Sequence, residues 1–168
     1  MPGYFFDSSA LGKRYHAEVG TVHVEALFQA PQPSRFISRL SVVELQSVFA
    51  GKVRTRAITG ADLELLRARF LQDIARREFR VIRMTDVHYR EAKRLMQQHG
   101  VRRSLRTLDA LQLSVALALH RRVALDTFVC ADQGLCPIRA FSICGRQHGS
   151  VANFDFGAKS ENRVSTIQ

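Results

Sequence analysis

The sequence predicts an α/β domain built on a mainly parallel sheet. Short apolar runs alternate with stretches of helical periodicity along the 168 residues, the pattern of strands joined by helical crossovers. Two of those runs end directly on an aspartate, Asp7 and Asp132, before a helix begins. A third observation is the segment from Leu108 to Leu119, apolar almost all round, which marks a central buried helix. A chain of this length fits one domain and buries about 70% of its unfolded surface. With 46% hydrophobic and 24% charged residues it needs neither disulfide nor structural metal to fold.

Taken in order, Gly3 to Phe6 reads as a short buried strand, Ser8 to His16 as a helix, and Thr21 to Gln29 as a second helix that Pro31 and Pro33 break. Phe36 and Ile37 form the next strand, and Ser41 to Val53 a helix carrying Glu44. From Ala61 to Glu78, Leu63, Leu66, Phe70 and Ile74 recur at steps of three and four, an amphipathic helix with arginines opposite. Val81 to Met84 is a third strand. Thr85 caps a helix to His99 whose Ala92, Leu95, Met96 and His99 share a side. Arg106 to Arg122 is the apolar helix, interrupted by Asp109, Gln112 and Ser114, and a carboxylate buried at its start is costly unless compensated. Thr127 to Ala131 is the fourth strand, and Ser150 to Phe154 a last edge strand. Residues 1–154 thus read as one domain, and 155–168 as a polar, loosely ordered tail.

The net charge is +10, and 21 of the 25 basic residues are arginine, whose guanidinium pairs with phosphate in a bidentate fork. Such a surface suits a polyanionic partner, nucleic acid or an acidic protein segment. The three cysteines, Cys130, Cys136 and Cys144, lack Cys-x-x-Cys spacing and read as small apolar side chains in a reducing compartment. Cys136, Cys144 and His148 match no familiar zinc module. Met1 to Phe6 has no basic start, so no signal peptide is expected, and no apolar stretch reaches the roughly 18 residues of a membrane span. A cytoplasmic protein is expected. There is no repeat, P-loop or Gly-x-Gly-x-x-Gly.

Asp7 and Asp132 follow strands, while Glu44 and Asp109 sit in the first turn or so of helices. Residues at the carboxyl ends of parallel strands converge on one edge, where ligands bind. Carboxylates crowded there repel one another, and a hard divalent cation is the simplest compensation. An oxygen-only donor set suits magnesium or manganese. Each acid also stands where a helix N-terminus favours negative charge: Ser41-Val42-Val43-Glu44 reads as a capping box, and Asp7 and Asp132 as N-caps. Position alone leaves both readings open.

The acids lie in strings that resemble PIN-domain proteins, especially the VapC-like toxins of bacterial toxin–antitoxin pairs. Phe5-Phe6-Asp7-Ser8-Ser9-Ala10-Leu11 with Lys13-Arg14-Tyr15 resembles that family's opening strand and first acid. Ser38-Arg39-Leu40-Ser41-Val42-Val43-Glu44-Leu45, Leu105-Arg106-Thr107-Leu108-Asp109-Ala110-Leu111 and Phe128-Val129-Cys130-Ala131-Asp132 resemble its second, third and fourth motifs, in the family's order. The resemblance spans about residues 3 to 154. It implies a three-layer α/β/α fold and a magnesium- or manganese-dependent endoribonuclease, usually a dimer neutralised by a cognate antitoxin. Asp7, Glu44, Asp109 and Asp132 correspond to the acidic quartet, and Ser8 or Ser9 to the hydroxyl that supports it. Gln112 stands where many relatives place a histidine, and the tail after Asp155 has no counterpart.

On that resemblance the expected chemistry is metal-assisted hydrolysis of an RNA phosphodiester. Asp7, Asp109 and Asp132 would bind metal directly, with Glu44 a ligand or the residue orienting a bound water. Lys13, Arg14, Arg102, Arg103 and Arg106 lie near the acidic motifs and are candidates for flanking phosphates, or ordinary exposed cations. His16, His23, His88, His99, His120 and His148 have no spacing with a nucleophile. Two rivals remain, a PIN nuclease in RNA processing without an antitoxin, and a module that binds nucleic acid without cutting it.

Overall fold

The computed structural model describes residues 3–29, 33–103, 105–123, 125–131 and 152–155, with backbone only for Arg103 and 152–155. Strands β1 (Gly3–Phe6), β2 (Ser34–Ser38), β3 (Arg80–Ile82), β4 (Thr127–Cys130) and β5 (Ala152–Asp155) alternate with helices α1 (Ser8–Tyr15), α2 (Thr21–Gln29), α3 (Arg39–Arg54), α4 (Gly60–Ala75), α5 (Asp86–Arg103) and α6 (Thr107–His120). The sheet order is β3-β2-β1-β4-β5, parallel except for β5, which runs antiparallel to β4.

Strand order explains the layers. The chain steps outward from β1 to β2 to β3, then returns across β1 to β4. Right-handed crossovers therefore place α1 to α4 on one face and α5 and α6 on the other. Alternation along each strand feeds both layers. Phe5, Phe36 and Phe128 pack with Ala92, Leu95, Leu113 and Ala116. Their chain neighbours Phe6, Ile37 and Val129 pack with Leu11, Val24, Leu45 and Phe70. The result is the expected three-layer α/β/α arrangement. Phe5 and Phe128 are opposed across the central strands and stack at 5.6 Å.

Several boundaries differ from expectation, each for a local reason. Helix α3 begins at Arg39, because Ser38, extended at the end of β2, accepts the Ser41 N–H at 3.1 Å and caps it. The Ser41–Glu44 capping box therefore does not form, and Glu44 sits in the second turn. Helix α5 continues past His99 to Arg103. Asp155, placed by composition in the tail, closes β5 against Thr127. Asp132, Cys136, Cys144, His148 and the rest of the tail lie outside the described residues. Cys130 is buried, and among the described residues no helix is long and apolar enough to cross a membrane.

Candidate active site

Asp7 closes β1. Its backbone N–H donates to the Val129 carbonyl at 2.9 Å, fixing the carboxyl end of β1 against β4. From an extended backbone it caps α1, accepting from the Ser9 N–H at 3.2 Å and the Ser9 hydroxyl at 2.6 Å. The same hydroxyl accepts from the Ala131 N–H at 3.0 Å, so Ser9 ties the ends of both central strands to one carboxylate. Asp7 is buried. Burial raises its pKa to about 6 in spite of the two Ser9 bonds, and the charges of Glu44 and Asp109 push the same way. Three acids from β1's end, α3 and α6 thus act on one electrostatic neighbourhood.

Glu44 is held by a buried polar network. Its Oε2 accepts from the Ser8 hydroxyl at 2.5 Å and from Gln112 Nε2. Gln112 is fully buried in α6, and the same Nε2 lies 3.0 Å from Ser8 Oγ and 2.9 Å from Ser41 Oγ, so its two protons are shared among three acceptors. Its Oε1 accepts from the Ser38 hydroxyl at 2.6 Å and the Ser41 hydroxyl at 3.3 Å. A carboxylate only accepts, so Glu44 fixes which end of the amide faces it. The network joins α1, α3 and α6 at the carboxyl edge of the sheet.

Asp109, third residue of α6, turns back to Arg106, accepting from its Nε at 3.0 Å and from its backbone N–H at 3.4 Å. Each of these three acids therefore has donors of its own, Ser9 for Asp7, Ser8 and Gln112 for Glu44, and Arg106 for Asp109, in addition to the divalent cation expected from the sequence as the simplest compensation. Among the described residues no group of three or more His, Cys, Asp or Glu side chains is arranged to hold a metal ion. The donor chemistry still fits a hard divalent cation, being carboxylate oxygens of one buried and two half-buried acids, with the charges of Glu44 and Asp109 acting on Asp7.

The candidate phosphate-binding residues are dispersed. Lys13 donates to the Val19 carbonyl at 2.7 Å and pairs with Glu18. Arg14 lies 3.9 Å over the Phe28 ring and 3.4 Å from Asp73, whose carboxylate also accepts from the Tyr15 hydroxyl at 2.9 Å. That group ties α1 to α4, away from the acids. Arg102 is exposed near the end of α5, and Arg106 is joined to Asp109.

Comparison with known proteins bears on this arrangement. A family model for the PIN domain matches residues 4–128, most of the chain. The chain belongs to the PIN domain family. No curated protein matches. Among solved structures, a toxin–antitoxin complex from Klebsiella pneumoniae is similar with a TM-score of 0.54 and 19% identity, covering 80% of this chain and 92% of that one. VapC20 of Mycobacterium tuberculosis, described as a toxin that cleaves the sarcin–ricin loop, is similar with a TM-score of 0.56 and 16% identity, over 79% and 92%. At these identities the likeness is one of fold.

Within this PIN domain the residue that sequence reasoning undervalued is Gln112, together with Ser38 and Ser41. The available signal was a long amide inside an otherwise apolar helix, three residues after Asp109 and so on the same face. A buried amide needs partners, and those partners are the serines around Glu44. Ser114, the other polar interruption, donates to the Leu111 carbonyl at 2.7 Å within its own helix.

Proposed function

We propose that this chain is a magnesium- or manganese-dependent endoribonuclease, the toxin of a toxin–antitoxin pair acting in the cytoplasm. The observation that carries the reading is the buried Asp7 at the end of β1, its pKa raised in part by Glu44 and Asp109, in a chain of the PIN family. Asp7, Asp109 and Asp132 would hold the cation, with Glu44 completing the set. A bound divalent cation supplies an acidified water and neutralises charge on the phosphate. The chain's own part is positional. Ser9 fixes the Asp7 oxygens, and Ser8 with Gln112 fixes Glu44. Asp109 would exchange its bond to Arg106 for the cation.

The antitoxin partner is supported by the likeness to a toxin–antitoxin complex. It is also supported by exposed apolar residues, Val22 on α2 and Leu65 and Leu71 on α4, which lie on one side of the sheet. A homodimer is part of the same proposal. Cleavage-site mapping on total RNA tests the enzymatic reading. Wild type with manganese is expected to cut at defined positions and the Asp109→Asn variant to leave the RNA intact; intact RNA with wild type across a broad panel overturns it. Growth arrest on expression, relieved by a small neighbouring gene, tests the toxin assignment.

A further inference from the structure

Beyond the acids, the carboxyl edge of the sheet carries a second feature. Strands β2 and β3 are parallel with Ser38 opposite Ile82, so the next residues, Arg39 and Arg83, leave the sheet side by side. Phe5 opposite Phe36 puts Asp7 level with Ser38 on the same edge. Arg39 and Arg83 line a solvent-open cavity of about 510 Å³ together with Leu40, Val43, Met84 and Tyr89. Strand spacing places this groove about 10 Å from the end of β1, within reach of a few nucleotides.

The groove sets two arginines beside an exposed aromatic ring. Arg14, Arg35, Arg67, Arg94, Arg106 and Arg121 each pair with a carboxylate. Arg39 and Arg83 form no such pair among the described residues and are exposed, as are other arginines such as Arg76, Arg77 and Arg90; strand register is what brings these two together at one groove. Tyr89 is 55% exposed and Val43 67%, an aromatic face and an apolar floor beside two available cations. Cations that track a backbone and an aromatic ring that accepts any base are the elements of single-stranded nucleic-acid binding. A second copy of the chain suits the groove less, because a two-fold axis there would set these arginines against their own equivalents.

We propose that this groove is the subsite for a nucleotide of single-stranded RNA flanking the cleaved phosphodiester, its phosphate held by Arg39 and Arg83 and its base stacked on Tyr89. The inference rests on the ribonuclease reading above. The test measures binding of a labelled oligouridine to the full chain silenced by Asp7→Asn, with Arg39→Ala, Arg83→Ala, Tyr89→Ala or Tyr89→Phe added. Each alanine variant is expected to weaken binding about 10-fold, and each arginine variant to lower the salt dependence by about 0.7 in log–log slope. Tyr89→Phe is expected to stay within about 2-fold of the parent, because stacking needs the ring and not the hydroxyl. All side chains changed in the groove are exposed, so an unchanged melting temperature accompanies the result. Parent-like affinity in all three alanine variants overturns the proposal. So does a parent dimer that Tyr89→Ala splits without loss of affinity, which makes the groove a contact between copies. If wild type cuts RNA while the groove variants bind like the parent, this inference alone falls. If the variants lose affinity while wild type never cuts RNA, the groove stands and the nuclease reading falls.

Discussion

Burial keeps the Asp7 carboxyl protonated to a higher pH than in the unfolded chain. Its raised pKa means that the folded protein holds a proton the unfolded chain releases. Below the ordinary aspartate range both states are neutral and nothing is lost. As pH rises from there through about 6 the unfolded state ionises first, and stability falls; above it the loss is constant, about 3 kcal/mol. Asp7→Asn keeps an oxygen for both Ser9 donors and removes the charge. In metal-free protein it is expected to raise stability by up to about 3 kcal/mol at neutral pH and to leave it nearly unchanged at acid pH, read by urea unfolding at the two conditions. Activity should fall at least about 100-fold in the same variant, since even outer partners of metal ligands cost 10–100-fold. Gln112 is the opposite case. Gln112→Leu leaves Ser38, Ser41 and Glu44 short of partners in a buried place and should cost about 2–4 kcal/mol, with cleavage lowered because Glu44 is no longer held.

At the scale of elements, two helix caps make a matched pair. Thr59 caps α4 in an exposed capping box with Asp62, accepting its N–H at 3.2 Å and donating to its carboxylate at 2.7 Å. Thr59→Ala is expected to cost about 1 kcal/mol by thermal unfolding and to leave RNA cleavage unchanged. Ser38 caps α3 and also donates to Gln112, so Ser38→Ala should cost more than Thr59→Ala and reduce cleavage. Equal effects of the two on cleavage would deny the network a positioning role. These helices also mark how far the sequence could be read. Gly3–Phe6 and Thr21–Gln29 were legible to the residue, since an aspartate ends the first and prolines follow the second. The start of α3 was not, because two serines compete as its cap and only the pairing of β2 shows that Ser38 is extended. The strings brought Asp7, Glu44 and Asp109 into one neighbourhood, where the charges of the last two act on the first. Their individual compensation was not legible, since Ser9, Gln112 and Arg106 reach them through tertiary contacts that local pattern does not carry.

The whole molecule sets three neighbouring acids in a strongly basic chain. The reversal of strand order at β1 puts Asp7 at the switch point of the sheet, where the two layers part and a ligand can enter. On the proposed ribonuclease reading, a net charge of +10, mostly arginine, would draw a polyanion to the protein, while Asp7, Glu44 and Asp109 would admit it only with its charge neutralised. Cleavage rates at limiting RNA are accordingly expected to fall steeply as salt rises from low ionic strength, measured as kcat/KM, with kcat changing far less. Manganese titration by calorimetry, comparing wild type with Asp7→Asn, Asp109→Asn and Asp132→Asn, tests the shared site most directly. Binding by wild type that weakens at least about 10-fold in every variant is the predicted result. Wild-type binding that survives all three substitutions, or an absence of heat from wild type even with RNA present, contradicts it.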